Sequence, residues 1–263
     1  MAYGLADWLD ITEPITNCQT FFISTMKTMK KKIVAPKEWW DEEPSIGRTA
    51  NDVPNRVERI KAIGNGQVSA CAVAAWMLLW ERSVGDYDPS IKLNTLHLFA
   101  GAGGGIIADL MMGHNPVGAV EIDDYCCKIL EQRQKDGWLP NFPIFKDVKE
   151  FDGSEISERV DVVCGGFPCQ DISCAGRGAG IGGTRSGLFY ELTRICRNLR
   201  PKYIFLENSP FIVTRGLEAV LREISEMGYD AEWCCLPASE VGAWHKRERW
   251  WCLCKQESGV SDD

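Results

Sequence analysis

From Lys92 onward, short apolar runs alternate with stretches whose apolar positions recur at helical spacing. Thr95–Phe99, Pro116–Val120, Val160–Cys164 and Tyr203–Leu206 read as strands, and Trp250–Cys254 as a late one. Between them Ile106–Met112, Asp124–Gln132 and Leu188–Asn198 carry the helical pattern, and Leu217–Met227 adds a further helix. Strand and helix alternating at this pitch predict an α/β fold with a doubly wound, Rossmann-like, mostly parallel sheet.

Upstream the pattern differs. Val57 to Ile63 has apolar positions at helical spacing until Gly64-Asn65-Gly66 breaks it, and Val68 to Trp80 then reads as a buried helix. Asp86 to Ser90 is a turn-rich linker containing a proline. The expected organisation is an irregular extension over residues 1–45, a main domain over 46–254 with a linker at 83–93, and a polar tail over 255–263.

Two loops carry candidate chemistry. The first strand runs into Ala100-Gly101-Ala102-Gly103-Gly104-Gly105 and then a helix, so glycines permit a tight turn and backbone N–H groups can approach a ligand. Glu121 closes the next strand twenty positions after Gly101, where a carboxylate can accept from ribose hydroxyls. A nicotinamide dinucleotide would fit equally well, except that Ile106 stands where its fingerprint wants a third glycine. Asp147, before Val148, lies where the following strand should end; it could accept from an adenine amino group or simply cap a loop.

The second loop is Val162-Val163-Cys164-Gly165-Gly166-Phe167-Pro168-Cys169-Gln170. A strand ends in two glycines, and a proline fixes the backbone just before a thiol, on the side where doubly wound sheets bind ligands. Cys164 reads as a small buried hydrophobe. Cys169 sits among polar and small residues, within reach of the glycine loop.

Composition narrows the picture. With 45% hydrophobic and 25% charged residues, the 263-residue chain can bury a substantial core. Its 12 cysteines are scattered through apolar segments rather than spaced as a disulfide framework, which favours a reduced, cytoplasmic compartment. Adjacent pairs such as Cys126-Cys127 lack zinc-site spacing and only 3 histidines are present, so no metal is expected. No apolar run reaches the roughly 18 residues needed to span a membrane. The net charge of −8 does not advertise a nucleic-acid partner, although a local strip such as Lys30-Lys31-Lys32 could still contact phosphate.

Taken in order, Phe99-Ala100-Gly101-Ala102-Gly103-Gly104, Gly166-Phe167-Pro168-Cys169-Gln170, Glu207-Asn208 and Arg247-Glu248-Arg249 resemble the successive signature motifs of the cytosine-C5 DNA methyltransferases, over about residues 95–254. The resemblance implies an S-adenosylmethionine-dependent methyltransferase fold, S-adenosylmethionine as methyl donor, and a flipped cytosine of DNA as substrate. It implies Cys169 as the nucleophile, Glu207 as the acid at the base, and Arg247 and Arg249 as the pair that hold the base carbonyl and support the loop. Their cation field would also favour a thiolate at Cys169. Cofactor contacts are implied for Phe99, Ala100, Gly101, Gly103, Gly104, Glu121, Ile122, Asp147, Val148, Pro168 and Leu188. Taken singly, Glu207 reads equally as a strand-end carboxylate and Lys246–Arg249 as a solvated loop.

The chain departs from the family pattern at His245, where glutamine is usual, at Ser209-Pro210, where valine follows the Glu-Asn pair, and at His97, which replaces a common acidic residue. A larger departure is one of order. Pro54 to Val68, ending in Gly64-Asn65-Gly66-Gln67-Val68, resembles the family's final motif but precedes the glycine loop. A circular permutation is therefore expected, with residues 46–82 carrying the final motif and helix and with Asn65 and Gly66 joining the cofactor pocket. Residues 1–45 and 255–263 then leave little for target recognition, so a separate specificity subunit is a possible partner. Two other readings stay open: a non-catalytic binding subunit with this fold, and methylation of RNA or a free pyrimidine nucleotide. If the source is prokaryotic or a phage, activity on nucleoid DNA follows.

Overall fold

The computed structural model describes residues 56–168, 187–243 and 245–257. The N-terminal extension, the Lys30–Lys32 cluster, Cys169 and Gln170, and most of the tail lie outside the described residues.

The chain enters through helices α1 (Arg56–Asn65) and α2 (Ser69–Ser83). It then alternates β1 (Asn94–Leu98), α3 (Gly104–Met112), β2 (Asn115–Val120), α4 (Asp124–Lys135), β3 (Ile144–Phe145) and β4 (Val162–Gly166). After residue 187 come α5 (Gly187–Leu199), β5 (Tyr203–Asn208), the short α6 (Ile212–Arg215), α7 (Leu217–Glu226), β6 (Tyr229–Leu236), a 3₁₀ turn at Ala238–Val241 and β7 (Arg249–Gln256). The strands form one 7-stranded sheet in the order β3-β2-β1-β4-β5-β7-β6. β1 to β5 pair in parallel, while β7 is antiparallel to both β5 and β6. The doubly wound α/β expectation therefore holds.

Both sheet faces are covered, as the mostly apolar and buried inner strands require. Val163, Ile204, Leu206, Trp250 and Cys252 face one core, with α5 and α7. Val162, Cys164, Phe205, Trp251 and Leu253 face the other, with α2 and α3. α2 belongs fully to this second core: Trp76 is 2% exposed and packs edge-on against Phe205, His114 and Tyr203. Burying such a side chain contributes roughly 1.5–3 kcal/mol, so the N-terminal helix is a structural part of the domain.

Two expectations move. β4 starts at Val162, two residues later than expected, and includes Gly165 and Gly166, which pair with Leu206 and Glu207. Glycine is suited to this strand end because neighbours fill the missing Cβ positions: Leu192 Cδ1 would lie 2.5 Å from a Cβ on Gly165, and Glu207 Oε2 2.9 Å from one on Gly166. α1 runs through Gly64 to Asn65 rather than breaking there, and Gly66 N–H still closes a helical bond on Ala62. β6 has no counterpart among the predicted strands, although Tyr229-Asp230-Ala231-Glu232-Trp233 alternates apolar and polar residues as a half-buried edge strand does.

Candidate active site

The carboxyl ends of β1, β4 and β5 open on one crevice, as expected where strand order reverses in a doubly wound sheet. A partly open cavity lies there. Asn65, Gly66 and Phe99–Gly101 line one end, and Gly165, Gly166 and Glu207 the other, with Gln67 among the lining residues.

The first end is made mostly of main chain. Phe99 (φ 57°), Gly101 (φ 56°) and Gly103 (φ 91°) take left-handed conformations in the turn from β1 into α3. That conformation is cheap for glycine and costly for phenylalanine. Glu121, 8% exposed, holds the turn with both oxygens: Oε2 accepts from Gly101 N–H at 2.6 Å and Oε1 from Asp123 N–H at 2.8 Å. Ile122 beside it is 72% exposed. Asp123 caps α4 and accepts from Lys61 of α1 at 2.6 Å. Asp147 follows β3 at the same sheet edge and caps its own loop through Lys149 N–H, while Val148 is buried.

The glycines of this loop serve different neighbours. A Cβ on Gly101 would meet nothing within 4 Å, leaving that backbone open to the crevice. A Cβ on Gly104 would lie 2.3 Å from the main-chain oxygen of Gln67. Ser69 Oγ also donates to Gly104 C=O at 2.7 Å. The segment joining α1 to α2 thus lies directly on the glycine loop.

The second end is made of side chains. Glu207, near the end of β5, meets Arg249 of β7 with Nε 3.0 Å from Oε1. Burial pushes its carboxyl up to about 7, against the opposing pull of Arg249 and Arg247. Arg247 (φ 30°) reaches back to the N-terminal segment and donates to Gly64 C=O at 2.8 Å and Gly66 C=O at 2.6 Å. Asn208 Nδ2 donates to Phe167 C=O at 3.0 Å, tying β5 to the loop in which exposed Pro168 precedes Cys169. Cys169 itself lies outside the described residues. Of the other thiols, Cys164 is fully buried and held well above its ordinary value by burial, and burial pushes Cys71 up to about 12, as suits inert core groups.

Asn65, Gly66, Phe99, Ala100, Gly101 and Glu207 therefore line one cavity, with Gly103, Gly104, Glu121, Arg247 and Arg249 bonded or adjacent to it. Ile122, Asp147, Val148, Pro168 and Leu188 are not among its lining residues, and Leu188 packs partly against the core. The sequence reading gave no role to Gln67, Ser69 or Asp109. Gln67 stood in plain view after Gly66, a polar residue at the entry to an apolar helix. Asp109 explains the histidine of β1: His97 Nε2 and Asp109 Oδ2 share a 2.6 Å hydrogen bond in the core, so the acidic group sits on α3 instead of the strand. Cys164 lies close to both, and the three donor atoms fall within 4.8 Å of one another. Among the described residues no helix is long and apolar enough to cross a membrane.

The family model for C-5 cytosine-specific DNA methylase matches residues 93–261. Type II methyltransferase M.CviJI of Paramecium bursaria Chlorella virus IL3A is 38% identical over 164 residues, covering 62% of this chain and 43% of the relative. Type II methyltransferase M.HhaI of Haemophilus parahaemolyticus is 31% identical over 170 residues, covering 62% of this chain and 49% of the relative. The chain thus spans less than half the length of either. DNMT2 of Spodoptera frugiperda, a crystal structure, superposes with a TM-score of 0.52 at 20% identity, covering 65% of this chain and 52% of that one, a likeness of fold.

Proposed function

Because the chain belongs to the C-5 cytosine-specific DNA methylase family, we propose that it methylates C5 of cytosine in DNA, with S-adenosylmethionine as donor and Cys169 as nucleophile. The observation that carries this reading is Glu207: a buried carboxyl, held by Arg249, at the strand end beside the loop that leads to Cys169.

The cofactor end suits an adenosine carrying a charged amino-acid tail. Gly101 leaves open backbone, Glu121 offers a carboxylate with lone pairs beyond its two backbone bonds, and Ile122 presents an exposed apolar surface for a base. Bound there, S-adenosylmethionine supplies the methyl group as an electrophile.

The chain's own residues do the rest. Cytosine C5 is too poor a nucleophile to accept the methyl group unaided. Addition of the Cys169 thiolate to C6 breaks the ring's conjugation and makes C5 enamine-like. Negative charge on the ring is met at N3 by a proton on Glu207, which burial lets the carboxyl keep near neutral pH. Arg249 holds that carboxyl through Oε1, and in this reading it also meets the base carbonyl. Transfer of the C5 proton to solvent water, departure of Sγ as the thiolate and return of the N3 proton to Glu207 then restore the ring. A cytosine inside a duplex cannot reach such a crevice, so the base is extruded.

The proposal includes the permuted order, with residues 46–82 supplying the family's final motif. Asn65 and Gly66 lining the same cavity as Phe99–Gly101 support it, as do the bonds from Ser69 to Gly104 and from Arg247 to Gly64 and Gly66. A part for residues 1–45 in target recognition is tested by DNA-binding assays on the chain with and without them. The deciding assay is transfer of labelled methyl from S-adenosylmethionine to duplex DNA, with and without candidate partners. Wild type labels DNA and Cys169→Ser does not; a wild type that transfers nothing under any of these conditions defeats the proposal.

A further inference from the structure

Gln67 occupies a channel that three glycines keep open. Its main-chain oxygen would be 2.3 Å from a Cβ on Gly104, its Oε1 2.5 Å from one on Gly105, and its Nε2 3.3 Å from one on Gly166. Real Cβ atoms essentially never sit as close as the first two. The third glycine belongs to β4, so the side chain crosses from the glycine loop to the base end of the crevice. There Glu207 Oε2 stands 2.9 Å from the same Cβ position on Gly166, so the amide and the carboxyl converge on one point over that glycine.

Glu207 thus meets Arg249 at Oε1 and has beside it an amide from the opposite end of the described chain. Resting on the reading of Glu207 as the acid, we propose that Gln67 is a positioning residue for the reaction, whose side-chain amide fixes the Glu207 carboxyl toward the base in concert with Arg249. An amide suits the task because it can serve both states of its partner. Its N–H donates to the carboxylate, and its carbonyl, after a flip, accepts from the protonated acid. The charged groups facing Glu207 are Arg249 on β7 and Arg247 just before it; Gln67 is the neutral member of the set, and β4 contributes only Gly166. A donor aimed at the carboxylate favours the charged form, so Gln67 opposes the effect of burial on Glu207.

The test reads the carboxyl directly, without DNA or cofactor. Infrared titration of protein carrying ¹³C-labelled glutamate gives the Glu207 midpoint, with the band identified by its absence in Glu207→Gln. Gln67→Met keeps the channel filled but removes the donor, and Gln67→Ala empties it. Either variant, once its thermal unfolding shows it to be folded, raises the Glu207 midpoint by about one pH unit. In an active enzyme, the alkaline fall of kcat moves up by the same amount while KM for S-adenosylmethionine stays within about two-fold. An unmoved midpoint in folded variants overturns the inference, even if DNA is methylated. A shifted midpoint without methyl transfer upholds the coupling and defeats the functional reading instead.

Discussion

The two ends of the crevice are built on different principles. At the proposed cofactor end the contacts are main chain: left-handed turns at Phe99, Gly101 and Gly103, and a carboxylate, Glu121, whose two oxygens accept from backbone N–H groups. At the proposed base end they are side chains drawn from separate parts of the chain, with Glu207 from β5, Arg249 from β7 and Gln67 from the turn after α1. A main-chain cradle is fixed by local conformation and tolerates variation in the side chains around it. A side-chain constellation depends on every member, and one substitution changes its charge. Damage at the base end should therefore fall on the chemical step, and damage at the cofactor end on binding.

Glu207→Gln makes the largest break. Removing the acid lowers the single-turnover methyl-transfer rate by roughly 10²–10⁴-fold, while calorimetry finds S-adenosylmethionine bound within about two-fold of wild type. The same variant tests the burial of the group. A folded-state value of about 7, above the ordinary 4.5, stabilises the protein fully below about pH 4.5, and that contribution is lost as pH rises through 7. Denaturant unfolding of wild type therefore shows a loss on the order of 3 kcal/mol across this window, and Glu207→Gln lacks that component.

Gly104→Ala comes next, because its Cβ would be driven against the Gln67 carbonyl. It destabilises the fold by about 1–3 kcal/mol and, by lifting the segment that carries Gln67, weakens the proposed base end from the other side. Full stability in this variant would show that the α1–α2 segment is not seated on the loop. Ile122→Ser is the mildest: with the side chain already 72% exposed, stability is unchanged. Affinity for S-adenosylmethionine falls about ten-fold, or 1.4 kcal/mol, with the rate at saturation preserved. A loss of rate instead would erase the distinction between the two ends.

The same contrast explains what the sequence made legible. The sheet and its helices were readable because buried strands leave uninterrupted apolar runs, and the β1 turn was readable because positive φ selects glycine at Gly101 and Gly103. β6 was less legible: its alternation over Tyr229–Trp233 is short and runs on into Cys234-Cys235-Leu236, where the period is lost. The spacing of the glycines suggested a cofactor for all of them, yet Gly104 is small because Gln67 lies upon it, a contact between residues 37 apart that no local pattern encodes. Glu207 and the two arginines were visible through their motif order. Their mutual geometry, and the reach of Arg247 to Gly64 and Gly66, depends on the antiparallel pairing of β7 with β5 and on where α1 ends. His97 looked like a loss of charge until Asp109 supplied the carboxylate from α3.

The central claim is that this crevice presents a cytosine to Cys169. Incubation with S-adenosylmethionine and duplex DNA containing 5-fluorocytosine tests it directly, because a fluorine at C5 cannot leave as a proton and the thiol adduct persists. The account predicts a DNA-linked peptide that maps by mass spectrometry to Cys169 and disappears in Cys169→Ser. With methyl transfer to ordinary duplex DNA established in parallel, the absence of any adduct, or one at another cysteine, would contradict it.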